Sequence, residues 1–557
     1  MSPQPNPELD RLAREYWDHL LRTSPMNATL IGVHDYDHLF DEISREAEDA
    51  DIAALRGFVA AAEAIDPETL TPDERITRDV LIFEASTDAD AKETRAAEWE
   101  VSHIFGTQTA LPVFFPQMTL TEPDHALAMV ERLRNLGRYY DQAAERLREG
   151  VSKGLVPMRS TAEKSADQID TLLAQAPNPI LQVAAPEGWD GEASWREDLA
   201  RAFADHVAPA MARWRDTIRD IVLPAARPDE KPGVCHLPGG DEAYAKALYR
   251  FTSTRLTPEE IHQIGLDQIA KLADEYREIA GSVLGTTDLQ EIFTRMREDP
   301  ELRYREAEPI VAAGEKAVEK AKAVMGDWFG RLPKADCVVV STVHGPAAYY
   351  FPPASDGSRP GTFFVNAADP AKWATYEMEA LAYHEAIPGH HLQLAISTEL
   401  EGIPEFRKYA ILSAYAEGWG LYSERLADEM GLYGSQLDRI GMLSADSLRA
   451  GRLVVDTGLH ALGWTRQQAI DFFKENSPMS QVGIENEVDR YIALPGQATA
   501  YMIGRLEIMR MRREAMETLG SRFDIKGFHD TVLGSGLVPL ETLERMIGDW
   551  VTSVQAA

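Results

Sequence analysis

The sequence predicts a mainly α protein: a large multi-helix body of two lobes with one small antiparallel β-sheet. Three observations carry that expectation. Long stretches repeat apolar residues at helical spacing. A single segment, 337–366, alternates β-branched and aromatic runs with turn residues. The chain has 557 residues, 44% hydrophobic and 26% charged, which is enough for a large buried core.

Leu9, Ala13, Trp17, Leu20 and Leu21 form the first apolar stripe. Similar stripes run through 126–150, 194–222 and 258–284, each with a polar face of mixed charge, as expected for helices layered in an all-α body. Residues 224–240, PAARPDEKPGVCHLPGG, are rich in Pro and Gly and read as a loop. That loop divides one unit, 1–557, into an N-terminal helical part (1–223) and a C-terminal part (241–557). Strands are expected near 337–342, 347–351 and 362–366, with SDGSRPG as the hairpin turn.

The 90 acidic residues outnumber the 56 basic ones, giving a formal net charge of -34. Such a surface repels nucleic acid phosphates and anionic membranes, so neither is an expected partner. Only two cysteines occur, Cys235 and Cys337, without a CxxC. They provide neither a disulfide framework nor a thiolate zinc site, and a reducing compartment is expected. The start MSPQPNPELDRLAREYWDHL lacks the basic and apolar regions of a signal peptide. No apolar run reaches the roughly 20 residues that cross a bilayer. The expected location is cytoplasmic. Oligomeric state is not set by the sequence, and a homodimer stays open.

The stretch 383–393, YHEAIPGHHLQ, holds the densest group of candidate ligands. In an unbroken helix, zinc ligands sit at i and i+4. Here His390 and His391 lie six and seven residues after His384, with Pro388-Gly389 between them. Proline removes a helical hydrogen bond and clashes with the preceding turn, and glycine tolerates the distortion. A two-residue bulge or break can therefore return His390, or with one residue more His391, to the place of an i+4 ligand. A catalytic zinc needs a third protein ligand and leaves a fourth position to water. Glu417 in SAYAEGWGLYSERL (413–426) is the candidate. Its flanks are apolar, aromatic or glycine, so a carboxylate there needs a compensating cation or hydrogen bonds. One Zn²⁺ per chain would supply that cation.

These motifs resemble known families. AYAEGWGLYSE is similar to the helix of zinc aminopeptidases that donates a glutamate ligand. HEAIPGHHLQ, RYIALPGQATAYMIGRLEI (490–508), TSTRLTPEEIHQIG (252–265) and SPMNATLIGVHDYD (24–37) together resemble a bacterial family catalogued as domain of unknown function 885. The resemblance spans most of the chain. It implies a fold similar to carboxypeptidase Taq, with the metal in a deep central channel between the lobes. It also aligns the Gly-His of an HExGH helix with Gly389-His390, which selects His390 over His391.

Under this resemblance Glu385 is the general base, and a tyrosine stabilises the oxyanion, Tyr501 before Tyr491. Gln497, Tyr501 and Arg505 fall on one helical stripe. Arg490 or Arg505 could hold a substrate carboxylate by a bidentate pair. Strand GTFFVN could pair with an extended peptide, with Tyr349, Tyr350 and Phe364 lining side-chain pockets. His344 is a further residue near the site without a role. The expected function is a zinc metallopeptidase for short unstructured peptides, a carboxypeptidase or dipeptidase. The alternatives are a zinc hydrolase of a non-peptide amide or acyl compound, and a non-catalytic helical binding protein.

Overall fold

Local chemistry sets the helix starts. Thr71 and Thr257 each cap a helix, Pro72–Glu93 and Pro258–Val283, through reciprocal bonds with Glu74 and Glu260, and proline fills the first helical position. The computed structural model describes residues 6–343, 346–353 and 359–556. Among them helices dominate, and the expected stripes fall on Pro7–Thr23, Pro123–Ser152, the run from Glu192 to Ala225, and Pro258–Val283. The run from Glu192 contains two π-helical turns, Phe203–Val207 and Ile218–Val222. Pro209 and Pro224 follow them, where a missing N–H is accommodated by the wider turn.

Four buried apolar clusters form the interior. The largest joins N-terminal residues such as Leu9, Tyr16 and Val80 to Phe363, Tyr383, Trp419 and Leu543 from the far end of the chain. A second lies within residues 40–222 and includes Leu133, Tyr140 and Trp195. No described helix is long and apolar enough to cross a membrane.

The sheet differs from expectation. Strands β1 (Cys337–Thr342), β2 (Ala348–Phe351) and β3 (Gly361–Asn366) lie in the order β1-β3-β2. Strand β3 runs parallel to β1 and antiparallel to β2, so the sheet is mixed rather than antiparallel. The cause is burial: Phe363 and Val365 are fully enclosed, which draws β3 into the middle. The GTFFVN strand therefore has both edges paired and cannot accept a peptide. Among the described residues β1 and β2 are the edge strands, and β2 borders the cavity through Tyr349 and Tyr350. Part of the SDGSRPG turn, and His344, lie outside the described residues.

Buried acids make stability depend on pH, and Glu84 is shifted furthest among Asp41, Glu84, Glu100 and Asp456. Glu84, on the Pro72–Glu93 helix, has a carboxylate oxygen sealed from solvent without a partner among the described residues. Burial and the nearby Asp88 push its pKa up to about 8, against the pull of Arg250. Between the ordinary carboxylate range and about pH 8, the native state keeps a proton that the unfolded chain has lost. Stability therefore falls as pH rises through that window, at a limiting slope of about 1.4 kcal/mol per unit, and levels off above it. Glu84→Gln should reduce the slope, most of all above pH 7 where Asp41, Glu100 and Asp456 have titrated, as read by urea midpoints at pH 5, 6.5 and 8.5.

Candidate metal centre

Six helices carry the site: α1 (Met378–Glu385), α2 (His390–Thr398), α3 (Ser413–Glu429), α4 (Gln436–His460), α5 (Gln481–Ala493) and α6 (Ala500–Leu519). The Pro-Gly step separates α1 from α2 completely. Helix α1 ends at Glu385, the Ile387–Pro388 peptide is cis, and α2 begins at His390. Helix α3 holds the break in place: Trp419 Nε1 and the Ser423 hydroxyl both donate to the Pro388 carbonyl, at 2.9 and 3.2 Å. Glycine is required at 389 by contact. A Cβ there would lie 1.8 Å from the His384 carbonyl oxygen and 2.4 Å from that of Tyr383. We expect Gly389→Ala to displace His384 and His390 from one another and to lower the zinc content measured after desalting.

The break brings His384 and His390 to one point. Their rings stand 4.8 Å apart and nearly perpendicular, at 88°. The Glu417 carboxylate lies 3.5 Å from His384 Nε2 and 3.3 Å from His390 Nε2. Ligands about 2.0–2.1 Å from a tetrahedral zinc stand roughly 3.3–3.4 Å from each other, so these separations are close to the edges of such a site. Glycines admit the approach. A Cβ at Gly420 would lie 2.8 Å from the His384 ring, and Gly418 meets Gly504 where α3 crosses α6.

The electrostatics also call for a cation. Burial disfavours charge on His384, yet its bonds to Glu417 and Glu424 outweigh this and raise its pKa to about 9. Burial opposes ionisation of Glu417 too, but the two imidazoles hold it well below the usual carboxylate range. A metal ion can replace the proton that these groups otherwise share. Glu424 accepts from His384 Nδ1 at 2.8 Å, the outer carboxylate that orients a ligating imidazole. It lies on the same helical face as Glu417, seven residues or about two turns later on α3.

His391 has a different task. Its Nε2 donates to the Ala335 carbonyl at 3.1 Å, and its Nδ1 accepts from the Tyr350 hydroxyl at 2.9 Å. Burial lowers its pKa to about 4, so it stays neutral. Both ring nitrogens are committed, which leaves His390 as the second ligand candidate. His391→Ala should cost about 1–3 kcal/mol of stability by orphaning these partners. It should leave zinc content unchanged, which chemical denaturation and metal analysis can read together.

A cavity of about 650 Å³ opens over the three ligand candidates, within the range of small-molecule sites. Glu385, Tyr350, Tyr349 and Tyr501 are in its wall, as expected. The Tyr501 ring lies 6.4 Å from the His384 ring, at 23°. Burial, with Glu417 nearby, raises its pKa, so the hydroxyl keeps its proton and can donate.

Other candidates are placed elsewhere. Tyr491 is fully buried and donates to Glu487, so it cannot reach an oxyanion. Arg505 is buried against Asp446, an internal ion pair. Arg490 is held by Glu487 and by Gln497 Oε1, at 3.1 and 2.7 Å. Gln497 sits on a separate 3₁₀ turn before α6 rather than on its stripe. Phe364 stacks on Tyr349, 4.9 Å between centroids, and is not in the cavity wall. The wall instead includes Arg449 and Arg452 of α4, which sequence reading missed. Their helix shows no motif; an arginine at i and i+3 was the only signal.

An interrupted two-helix ligand pair and a glutamate on a third helix, set in a mainly helical fold, form a candidate metal site. The chain belongs to the family of bacterial proteins of unknown function designated DUF885, whose profile matches residues 25–547. Two solved structures share its fold. One is described as "the putative lipoprotein from Colwellia psychrerythraea", with 26% identity, a TM-score of 0.86, and 98% of this chain and 99% of that one covered. The other, "a putative lipoprotein of unknown function from Shewanella oneidensis", has 19% identity and a TM-score of 0.79, with 97% and 100% covered. No curated protein matches the chain.

Proposed function

We propose that this protein is a zinc-dependent hydrolase of short unstructured peptides. The observation that carries the reading is the convergence of His384, His390 and Glu417, with Glu385 and Tyr501 in the wall of the same cavity. Zinc in this site would supply a Lewis acid for the scissile carbonyl and a water of lowered pKa.

The residues divide the remaining work. Glu385 follows His384 directly and borders the cavity, so it accepts the proton of the attacking water and returns it to the leaving amine. The Tyr501 hydroxyl donates to the carbonyl oxygen as negative charge develops there. The outer edge of β2, with Tyr349 and Tyr350, offers backbone groups to an extended substrate. An extended peptide satisfies these groups without exposing the site to a folded protein.

The test is metal analysis of the purified chain, followed by a panel of unstructured peptides of about two to ten residues. About one zinc per chain and peptide cleavage abolished by chelation are the expected results. Zinc without any peptide cleavage would favour a non-peptide amide or acyl substrate. Absence of stoichiometric metal would remove the hydrolase reading.

A further inference from the structure

A protein with a net charge of -34 gathers guanidinium groups around Tyr501. Arg452 lies over the Tyr501 ring at 4.4 Å and Arg449 at 5.9 Å, and both are in the cavity wall. Arg490 stands behind them, 5.0 Å over the Tyr491 ring. Among the described residues, two carboxylates lie within ion-pair distance of these three cations. Glu487 is shared by Arg452 and Arg490, at 2.9 and 3.1 Å. Glu424 lies 3.9 Å from Arg449 and already accepts from His384. Within ion-pair distance the cations outnumber their carboxylates by one.

The hydrogen bonding agrees with the charge count. Arg452 Nη1 and Arg449 Nε are buried without a partner among the described residues. Arg449 makes one long bond, 3.4 Å, to the Ala445 carbonyl. It also borders a second cavity of about 460 Å³, so its head is not packed in on that side. Buried guanidinium donors without acceptors are costly, and a ligand that brings oxygen acceptors relieves the cost. Arg449 and Arg452 are one turn apart on α4, so their heads face the same side.

Resting on the peptidase reading, we propose that Arg449 and Arg452 clamp the C-terminal carboxylate of the substrate, making the enzyme act at the C-terminal end of short peptides. Arg452 Nε and Nη2 already bond Glu487, so its free Nη1 acts together with the Arg449 head to give a carboxylate charge-assisted donors from two side chains. The clamp lies beside Tyr501, which already faces the ligand group. A carboxylate held there allows only a short stretch of chain between it and the ligand candidates. The expected products are therefore single residues or dipeptides from the C-terminus.

The test uses zinc-loaded full-length protein and peptides of one sequence, each made as free acid and as C-terminal amide. Cleavage is followed by mass spectrometry. Binding is measured by calorimetry on Glu385→Gln, which keeps the clamp. The free acid should be bound and cleaved about 10–150-fold better than the amide. Arg449→Gln and Arg452→Gln should each bring that ratio below about 5 at unchanged zinc content. Arg452→Lys should recover only part of it. Arg452 is tied to Glu487 and Tyr491, so Arg449→Gln, with its fewer bonds, keeps the proposal testable if Arg452→Gln does not fold. Equal treatment of acid and amide overturns the clamp and leaves the peptidase reading intact. So does a preference for the acid that survives Arg449→Gln undiminished. Inertness toward every peptide, with the acid still bound better by Glu385→Gln, overturns the peptidase reading and supports the clamp.

Discussion

Glu385→Gln should abolish turnover while the protein keeps its zinc. A lost general base costs about 10²–10⁴-fold in rate, so kcat on the best peptide should fall by that amount, with KM little changed. The reason is positional. Glu385 ends α1, one residue beyond His384, and borders the cavity without joining the three-ligand group. Glutamine keeps the shape and removes the proton acceptor. Equal zinc stoichiometry in the two proteins, with lost activity, is the outcome that supports the role. A variant with substantial kcat would move the base elsewhere, and zinc lost along with activity would make Glu385 a ligand.

The metal affinities of five variants should fall in a definite order. His384→Ala, His390→Ala and Glu417→Ala each remove one corner of the candidate site and should leave no stoichiometric zinc after dialysis. Glu424→Gln should weaken zinc by about 10–100-fold, because the His384 imidazole loses its orienting carboxylate. His391→Ala should keep full zinc, since both of its ring nitrogens are occupied by Ala335 and Tyr350. Competition with a chromophoric chelator reads the whole series. Zinc lost from His391→Ala and kept by His390→Ala would reverse the assignment of the second ligand. Zinc held by His384→Ala and Glu417→Ala alike would end the three-ligand description.

Local chemistry in the sequence determined the helical class, the caps at Thr71 and Thr257, the three strands and the break at Pro388-Gly389. Each follows from spacing or from one residue's backbone limits, which operate over a few positions. The ligand candidates were legible for the same reason: the first two are six residues apart, and Glu417 sits among small and aromatic neighbours where a carboxylate needs a partner. Tertiary structure alone decided the rest. Strand order depends on which side chains are buried, and Phe363 and Val365 put β3 in the middle of a mixed sheet. Arg505 and Tyr491 carry the right chemistry but point into internal pairs with Asp446 and Glu487. Arg449 and Arg452 carry no motif, yet α4 crosses behind Tyr501 and turns them to the cavity. Sequence spacing sets which residues share a face, whereas long-range packing sets what that face meets.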